Sequence, residues 1–274
     1  MNSYAKGKLI WDELISVLPK SIISYIDSAN MRGALEEIRI RAEQPVVLFP
    51  FKQLQNILPP TITQSECLEL FERICHHSIY AWEEELRQGF ITMRGGIRVG
   101  MAGKALIEGG SFKRLANVTY FNIRIPHECV GCADPVMPYI MQGDGSVYST
   151  LLVSHPGGGK TTMLRDIARQ LSTGRHPLRI CIVDERSELA GSYQGLVQND
   201  LGKNCDVLDA CPKAIGIKQM LRTMSPDVII TDEIGSQGDI DALLDAAYCG
   251  VRIMASVHGN HVYDFYKRPC FHDL

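Results

Sequence analysis

Nine residues, Ser154-His155-Pro156-Gly157-Gly158-Gly159-Lys160-Thr161-Thr162, fit the phosphate-binding pattern G-x-x-x-x-G-K-[S/T] at every position but the first, where Ser154 replaces glycine. The residue types suit that chemistry. Three successive glycines let a loop wrap with its N–H groups pointing inward, and a helix starting at its end adds the positive pole of its dipole. Lys160 would set a cation on the β- and γ-phosphates of ATP, and the Thr161 hydroxyl would ligate Mg²⁺. Ser154 is expected to take up the backbone shape that glycine ordinarily supplies there. The competing reading is a ligand-free glycine turn, and the strand pattern before, the helix pattern after and Gly-Lys-Thr-Thr within argue against it.

A second acidic element lies 72 residues after Lys160, where Val228-Ile229-Ile230-Thr231 runs into Asp232-Glu233. An aspartate ending a buried strand beside the phosphate loop can hold Mg²⁺ through water, and the next glutamate can orient the attacking water. Alone the pair would be weak, because helix N-termini favour acids for dipole reasons; the loop upstream gives it weight. Asp184-Glu185-Arg186 ends an intervening apolar run, and His258 ends a later one, where a neutral imidazole could sense the γ-phosphate. In isolation His258 reads as a hydrogen-bonded structural histidine.

These residues need a frame that brings them together. In the second half, Val147–Val153, Leu178–Val183, Val228–Thr231 and Val251–Val257 read as strands. Helical patterns over 159–172, Lys213–Met224 and Gly238–Cys249 alternate with them. That alternation predicts parallel pairing in a layered α/β sheet, with ligands at the carboxyl ends of the strands. The first half differs. A helical pattern spans Gly7–Asn30 and a second Thr63–His76, with Thr63 as N-cap and Glu66 as its capping-box partner. Leu35–Arg41, Pro45–Phe49, Phe90–Met93, Ile97–Met101 and Val118–Ile125 read as strands, with a hairpin turn at Gly95-Gly96. The expected organisation is a smaller α+β domain over 1–130, a linker within Gly131–Gly145, and a P-loop NTPase (RecA-like), mostly parallel sheet domain over 131–274.

Composition narrows the classes. With 45% hydrophobic and 22% charged residues the chain has the balance of a soluble globular protein. A formal net charge of −3 offers no basic excess to coat nucleic acid, and no Lys/Arg stripe with interleaved aromatics appears, so a nucleic-acid partner is not expected. No apolar run of about 18 residues is present, and the N-terminus lacks a signal-peptide core, so a cytosolic protein is expected. Nine cysteines, an odd number in a long chain, read as reduced thiols. Cys129-Val130-Gly131-Cys132 lacks a clear second ligand pair, and no zinc site is assigned to it.

Taken in order, these motifs resemble the secretion-ATPase superfamily, the type II and type IV secretion and pilus motors, and within it a sporulation branch. The resemblance rests on Val183-Asp184-Glu185-Arg186-Ser187-Glu188, Asp206-Val207-Leu208-Asp209 with Cys211-Pro212-Lys213, Arg222-Thr223-Met224-Ser225-Pro226-Asp227, and His258-Gly259-Asn260. In the first half Glu37-Ile38-Arg39-Ile40-Arg41 and the segments Gly89–Thr92 and Gly95–Gly100 add to it. It implies an ATPase with Mg²⁺ that assembles as a ring, a hexamer in that superfamily's manner, on the mother-cell side of a membrane channel. It also implies first-half arginines offered to the nucleotide, for which Arg98 and Arg124 are the candidates, and an acidic box whose Glu185 and Glu188 compete with Glu233 as the base. Glu233 is expected to dominate and Glu185 to assist. Two departures stand out: Asn204-Cys205 occupies the place of an Arg-Thr pair, and the resemblance implies a C-terminally truncated copy ending at Leu274. An ATP-binding switch or scaffold with little turnover, and a nucleic-acid motor, are the alternatives.

Overall fold

The structure, a computed structural model, describes residues 3–50, 59–174, 176–261, 264 and 271. The chain divides into two units, Met1–His127 and Glu128–Leu274.

In the first unit helices α1 (Ser3–Val17) and α2 (Lys20–Ser28), with Leu18 between them, bury Leu14, Leu18, Ile22 and Ile26 at four-residue spacing. The sequence reading joined them into one helix. They are two because Pro19, without an N–H and unfavourable to a helical Leu18 before it, stands extended between them (φ −55, ψ 143). Strands β1 (Leu35–Arg41), β2 (Gln44–Pro45), β3 (Val47–Pro50) and β4 (Thr61–Ile62) follow, then α3 (Gln64–Ile74) and α4 (Glu83–Gln88), and strands β5 (Phe90–Met93), β6 (Ile97–Glu108) and β7 (Ser111–Arg124). The Thr63 side chain accepts from the Glu66 N–H (3.2 Å) while Glu66 accepts from the Thr63 N–H (2.8 Å), so the expected capping box is formed. Five strands make an antiparallel sheet in the order β3-β1-β7-β6-β5. One face, carrying Ile38, Ile40, Ile91, Val99, Phe121 and Ile123, packs with α1, α2 and α3 in a single core. Period 2 puts Glu37, Arg39, Arg98, Asn122 and Arg124 on the other face.

The hairpin β6–β7 runs far past the expected strand limits of Met101 and Val118. Its register shifts between Ala102 and Gly103, Lys104 and Ala105, and Leu106 and Ile107. Each bulge resets the alternation that marks a strand in sequence, which hid this stretch.

The second unit contains α5 (Met137–Ile140), β8 (Thr150–Ser154), α6 (Lys160–Thr173), β9 (Ile180–Asp184), β10 (Cys205–Asp209), α7 (Lys213–Met224), β11 (Val228–Thr231), α8 (Gln237–Tyr248) and β12 (Arg252–His258). Its sheet is wholly parallel in the order β10-β9-β11-β12-β8. Both faces are covered, as parallel sheets require. Ile180, Ile182, Val228, Ile230 and Met254 pack with Leu164, Ile167 and Leu171 of α6. The alternate residues Cys181, Val183, Ile229, Ile253, Ala255 and Val257 pack with Ile217 of α7 and Ile240 and Leu243 of α8. The stretch read as a linker folds onto this unit: Ala133 and Ile140 are buried in its core. Strand β10 had no strand reading. At the outer side of β9 it is only half-buried, so few apolar positions betray it.

Candidate functional site

Parallel pairing with both faces buried places the carboxyl ends of all five strands on one side, and the polar residues that follow them meet there. The glycine-rich loop leaves β8 at Ser154 and enters α6 at Lys160. Gly157 (φ 76) and Gly159 (φ 81) take left-handed conformations that a side chain would strain. Gly158 is needed for another reason, since a Cβ there would lie 2.3 Å from Ser154 Oγ. Ser154 itself has no positive φ, so the departure from glycine costs the backbone nothing; its side chain fills space against Gly158.

Lys160 is buried, with its ammonium on the loop carbonyls. Nζ donates to Ser154 O (2.9 Å), His155 O (3.0 Å) and, more weakly, Ser154 Oγ (3.4 Å), and it lies 3.0 Å from His258 Nδ1. Burial lowers its pKa, opposed by the nearby Glu233 carboxylate. An ammonium can only donate, so Nδ1 accepts and His258 Nε2 carries the hydrogen that Glu233 Oε1 accepts at 3.0 Å. Glu233 Oε2 accepts from Arg186 Nη1 at 2.6 Å. Lys160, His258, Glu233 and Arg186 thus form one hydrogen-bonded chain across the strand ends. The sequence sets no strand order; in the sheet, β12 lies between the loop strand β8 and the Asp232 strand β11, with His258 paired in register to Ser154, which is why the imidazole can touch both Lys160 and Glu233.

Asp232 follows β11 and is 1% exposed. Neither of its carboxylate oxygens has a hydrogen-bond partner among the described residues. Burial, then the Asp184 charge, pushes its pKa up to about 6, against the pull of Lys213. A buried carboxylate with two unused oxygens is an unfinished site that a cation and its water shell would complete. Thr161 and Thr162, both half-buried, stand in the first turn of α6. Thr161 with Asp232 therefore fits the donor set of a Mg²⁺ site, all hard oxygens.

Asp184, fully buried, is a scaffold. Its oxygens accept from the N–H groups of Glu188 (2.9 Å) and Ala190 (2.7 Å), closing the turn after β9, and burial raises its pKa to about 6. Ser187, with φ 52, donates to Asp209 Oδ1 at 2.8 Å. The turn so held sends Glu185 and Arg186 in different directions. Glu185 forms an ion pair with Lys213, which is 4% exposed, while Arg186 reaches Glu233. Glu188 is half-buried in the same turn. Lys213 and Arg186 carried no assigned role in the sequence reading. Lys213 had one signal: a lysine in the first turn of a helix opposes the helix dipole, which calls for an acidic partner. His155 and Pro156 are exposed in the loop, with His155 Nδ1 2.7 Å from Pro156 O. Arg98 and Arg124 belong to the first unit, directly opposite each other on β6 and β7, with the Arg98 guanidinium 3.8 Å from the Phe90 ring centroid.

The family described as sporulation stage III, protein AA matches residues 11–274. Stage III sporulation protein AA of Bacillus subtilis (strain 168) is 43% identical over 263 residues, 94% of this chain and 85% of that protein. Among solved structures, the Legionella pneumophila ATPase DotB aligns over 90% of this chain and 67% of its own, with TM-score 0.59 and 18% identity. The pilus retraction motor PilT with bound ADP aligns over 91% and 70%, with TM-score 0.56 and 17% identity. At such identities the likeness establishes the fold alone: a parallel α/β domain preceded in the chain by an α+β domain.

The raised pKa of Asp232 has a thermodynamic consequence. Its folded value of about 6 exceeds the ordinary 3.8, so the folded state binds the proton more tightly. The favourable contribution is full below about pH 4 and lost as the pH rises through about 6. With metal chelated, Asp232→Asn should therefore stabilise the protein at pH 7.5 by on the order of 1–3 kcal/mol. In thermal melts that gain should vanish below about pH 4; identical melts at pH 7.5 would mean that the charge is already compensated.

Proposed function

The chain belongs to the sporulation stage III, protein AA family, and on that premise we propose that it is an ATP-hydrolysing oligomeric motor serving a membrane-associated channel during sporulation. The observation that carries the proposal is the chain Lys160–His258–Glu233 set beside the unpartnered carboxylate of Asp232. It joins a group that would hold phosphate to one that would prepare water, next to a place for a cation.

In this reading Ser154 to Thr162 receive the triphosphate. Lys160 exchanges its contacts with Ser154 O and His155 O for phosphate oxygens, and the N–H groups of the glycine loop cradle the β-phosphate. Thr161 and Asp232 would hold Mg²⁺, which would supply positive charge to offset that of the phosphates. Glu233 is the base. It takes a proton from water as the water oxygen bonds to the γ-phosphorus, the bond to the β–γ bridging oxygen breaks, and ADP and inorganic phosphate are released. His258 and Arg186 each occupy one lone pair of the Glu233 carboxylate, and two further acceptor sites remain for the water. His258, freed from Lys160, is the residue placed to sense the γ-phosphate. Glu185 is the weaker candidate base because it is tied to Lys213. Arg98 and Arg124 are proposed to meet nucleotide in the assembled ring. The structures similar in fold carry the names of an ATPase and a retraction motor, which supports the motor reading. No helix among the described residues is long and apolar enough to cross a membrane; the proposed partner is a membrane protein of the channel.

Lys160→Ala should reduce ATP affinity or turnover at least tenfold, about 1.4 kcal/mol, and in a spore-forming host should reduce heat-resistant spores comparably. Equal nucleotide binding and hydrolysis in variant and parent would end the P-loop assignment, and binding without turnover in the parent would favour an ATP-dependent switch.

Among the three carboxylates, Glu233→Gln should leave ATP binding nearly intact and slow single-turnover hydrolysis by about 10²-fold, the scale of losing a positioned base. Glu185→Gln should cost less and Glu188→Gln least. A parental rate in Glu233→Gln with a dead Glu185→Gln or Glu188→Gln would move the base to the turn after β9.

Light scattering with ATP and Mg²⁺ should show self-association, to a hexamer if the ring closes as proposed. A monomer with full activity at high concentration would reject sites shared between subunits.

A further inference from the structure

Glu233 is held unusually firmly for a residue at a strand end. Its backbone sits in the left-handed region (φ 45), which a side chain occupies only at a cost. Its N–H donates to Ser256 Oγ at 3.1 Å, and Ser256 is fully buried on β12. On the same strand, His258 holds Oε1 at 3.0 Å. The turn after the neighbouring strand on the other side, β9, supplies the remaining contact, Arg186 Nη1 to Oε2 at 2.6 Å. The carboxylate is therefore fixed at both oxygens from both flanking strands.

Stability does not account for the Arg186–Glu233 contact, although the Arg186 charge also helps the nearby Asp232 carboxylate stay ionised. The Arg186 side chain is 54% exposed and that of Glu233 23%, and an ion pair so open to solvent adds little to stability. Yet the turn that presents Arg186 is elaborately built. Asp184, buried without exposure, uses both carboxylate oxygens to close it, and Ser187 accepts a left-handed backbone and ties the turn to Asp209 at the end of β10. The turn also divides its charges, giving Glu185 to the buried Lys213 and leaving Arg186 for Glu233. A rigid device that places one half-exposed cation on one carboxylate oxygen is organised for geometry.

We propose that Arg186 is a positioning residue for hydrolysis: it fixes the rotation of the Glu233 carboxylate so that the oxygen sites left by Arg186 and His258 face the attacking water. This inference rests on Glu233 being the base. Arg186 acts through Glu233 and touches neither nucleotide nor water. Its loss should lower turnover and leave ATP binding alone, because a loosely held base is misaligned most of the time. A lysine reaches with a point charge in place of a planar fork and should restore part of the effect.

The experiment compares the full chain with Arg186→Ala, Arg186→Lys, Glu233→Gln and the double variant Arg186→Ala/Glu233→Gln, each checked for parental melting and ATP-analogue affinity. Expected is a fall in kcat of about tenfold for Arg186→Ala with KM changed less than twofold, partial recovery in Arg186→Lys, and no further loss when Arg186→Ala is added to Glu233→Gln. A parent that turns over ATP with an Arg186→Ala variant of equal kcat overturns the positioning role alone. So does an equal loss in the Glu233→Gln background, or a change confined to KM, which would put Arg186 on the nucleotide. A parent with no turnover overturns the ATPase reading itself, and the positioning role with it.

Discussion

Two carboxylates, Asp184 and Asp232, are buried at the ends of adjacent parallel strands, and the surrounding site is an answer to that charge. An isolated ionised group in a protein interior is costly unless hydrogen-bonded, paired or neutralised. The chain solves the two cases differently. Asp184 receives two backbone N–H groups and becomes the pin of a turn. Asp232 receives none among the described residues and is left with electrostatic help from Lys213 and Arg186. One carboxylate is spent on structure and the other is kept open, a difference of role without any difference in residue type.

The cations follow the same logic. Lys160, Lys213 and Arg186 stand around the acids, and each has a definite place: Lys160 on the loop carbonyls and His258, Lys213 on Glu185, Arg186 on Glu233. Because Lys160 is shared between the loop and His258, any anion that draws it outward also alters what His258 accepts. The imidazole holds Glu233 through its other nitrogen, so events at the loop and at the glutamate are coupled through one ring. This coupling depends on β12 lying between β8 and β11; direct adjacency of β8 and β11 would leave no place for the histidine.

Much of this architecture was legible in the residues. The loop, its helix and the strands ending in Asp184, Asp232 and His258 carry strong patterns, because strands buried on both faces read as apolar runs and helices repeat every three or four residues. What escaped had physical reasons. Pro19 divides a helix whose apolar spacing continues on either side. Bulges in β6 and β7 erase alternation. Strand β10 is half-buried at the outer side of the sheet and shows too few apolar positions. Arg186 and Lys213 were visible as letters but not as partners of Glu233 and Glu185, since 47 and 28 positions separate each pair and only folding closes those gaps.

By itself the sequence determined the kinds of chemistry present: a phosphate-type loop, acids at strand ends, a histidine at another, and the layered α/β frame that collects them. Those follow from local composition and periodicity, which act over a few residues. The tertiary structure alone decided which acid is satisfied and which is open, which cation belongs to which glutamate, and that His258 bridges Lys160 and Glu233. Burial and pairing are set by strand order and by the approach of segments distant in the chain, and no local pattern encodes them.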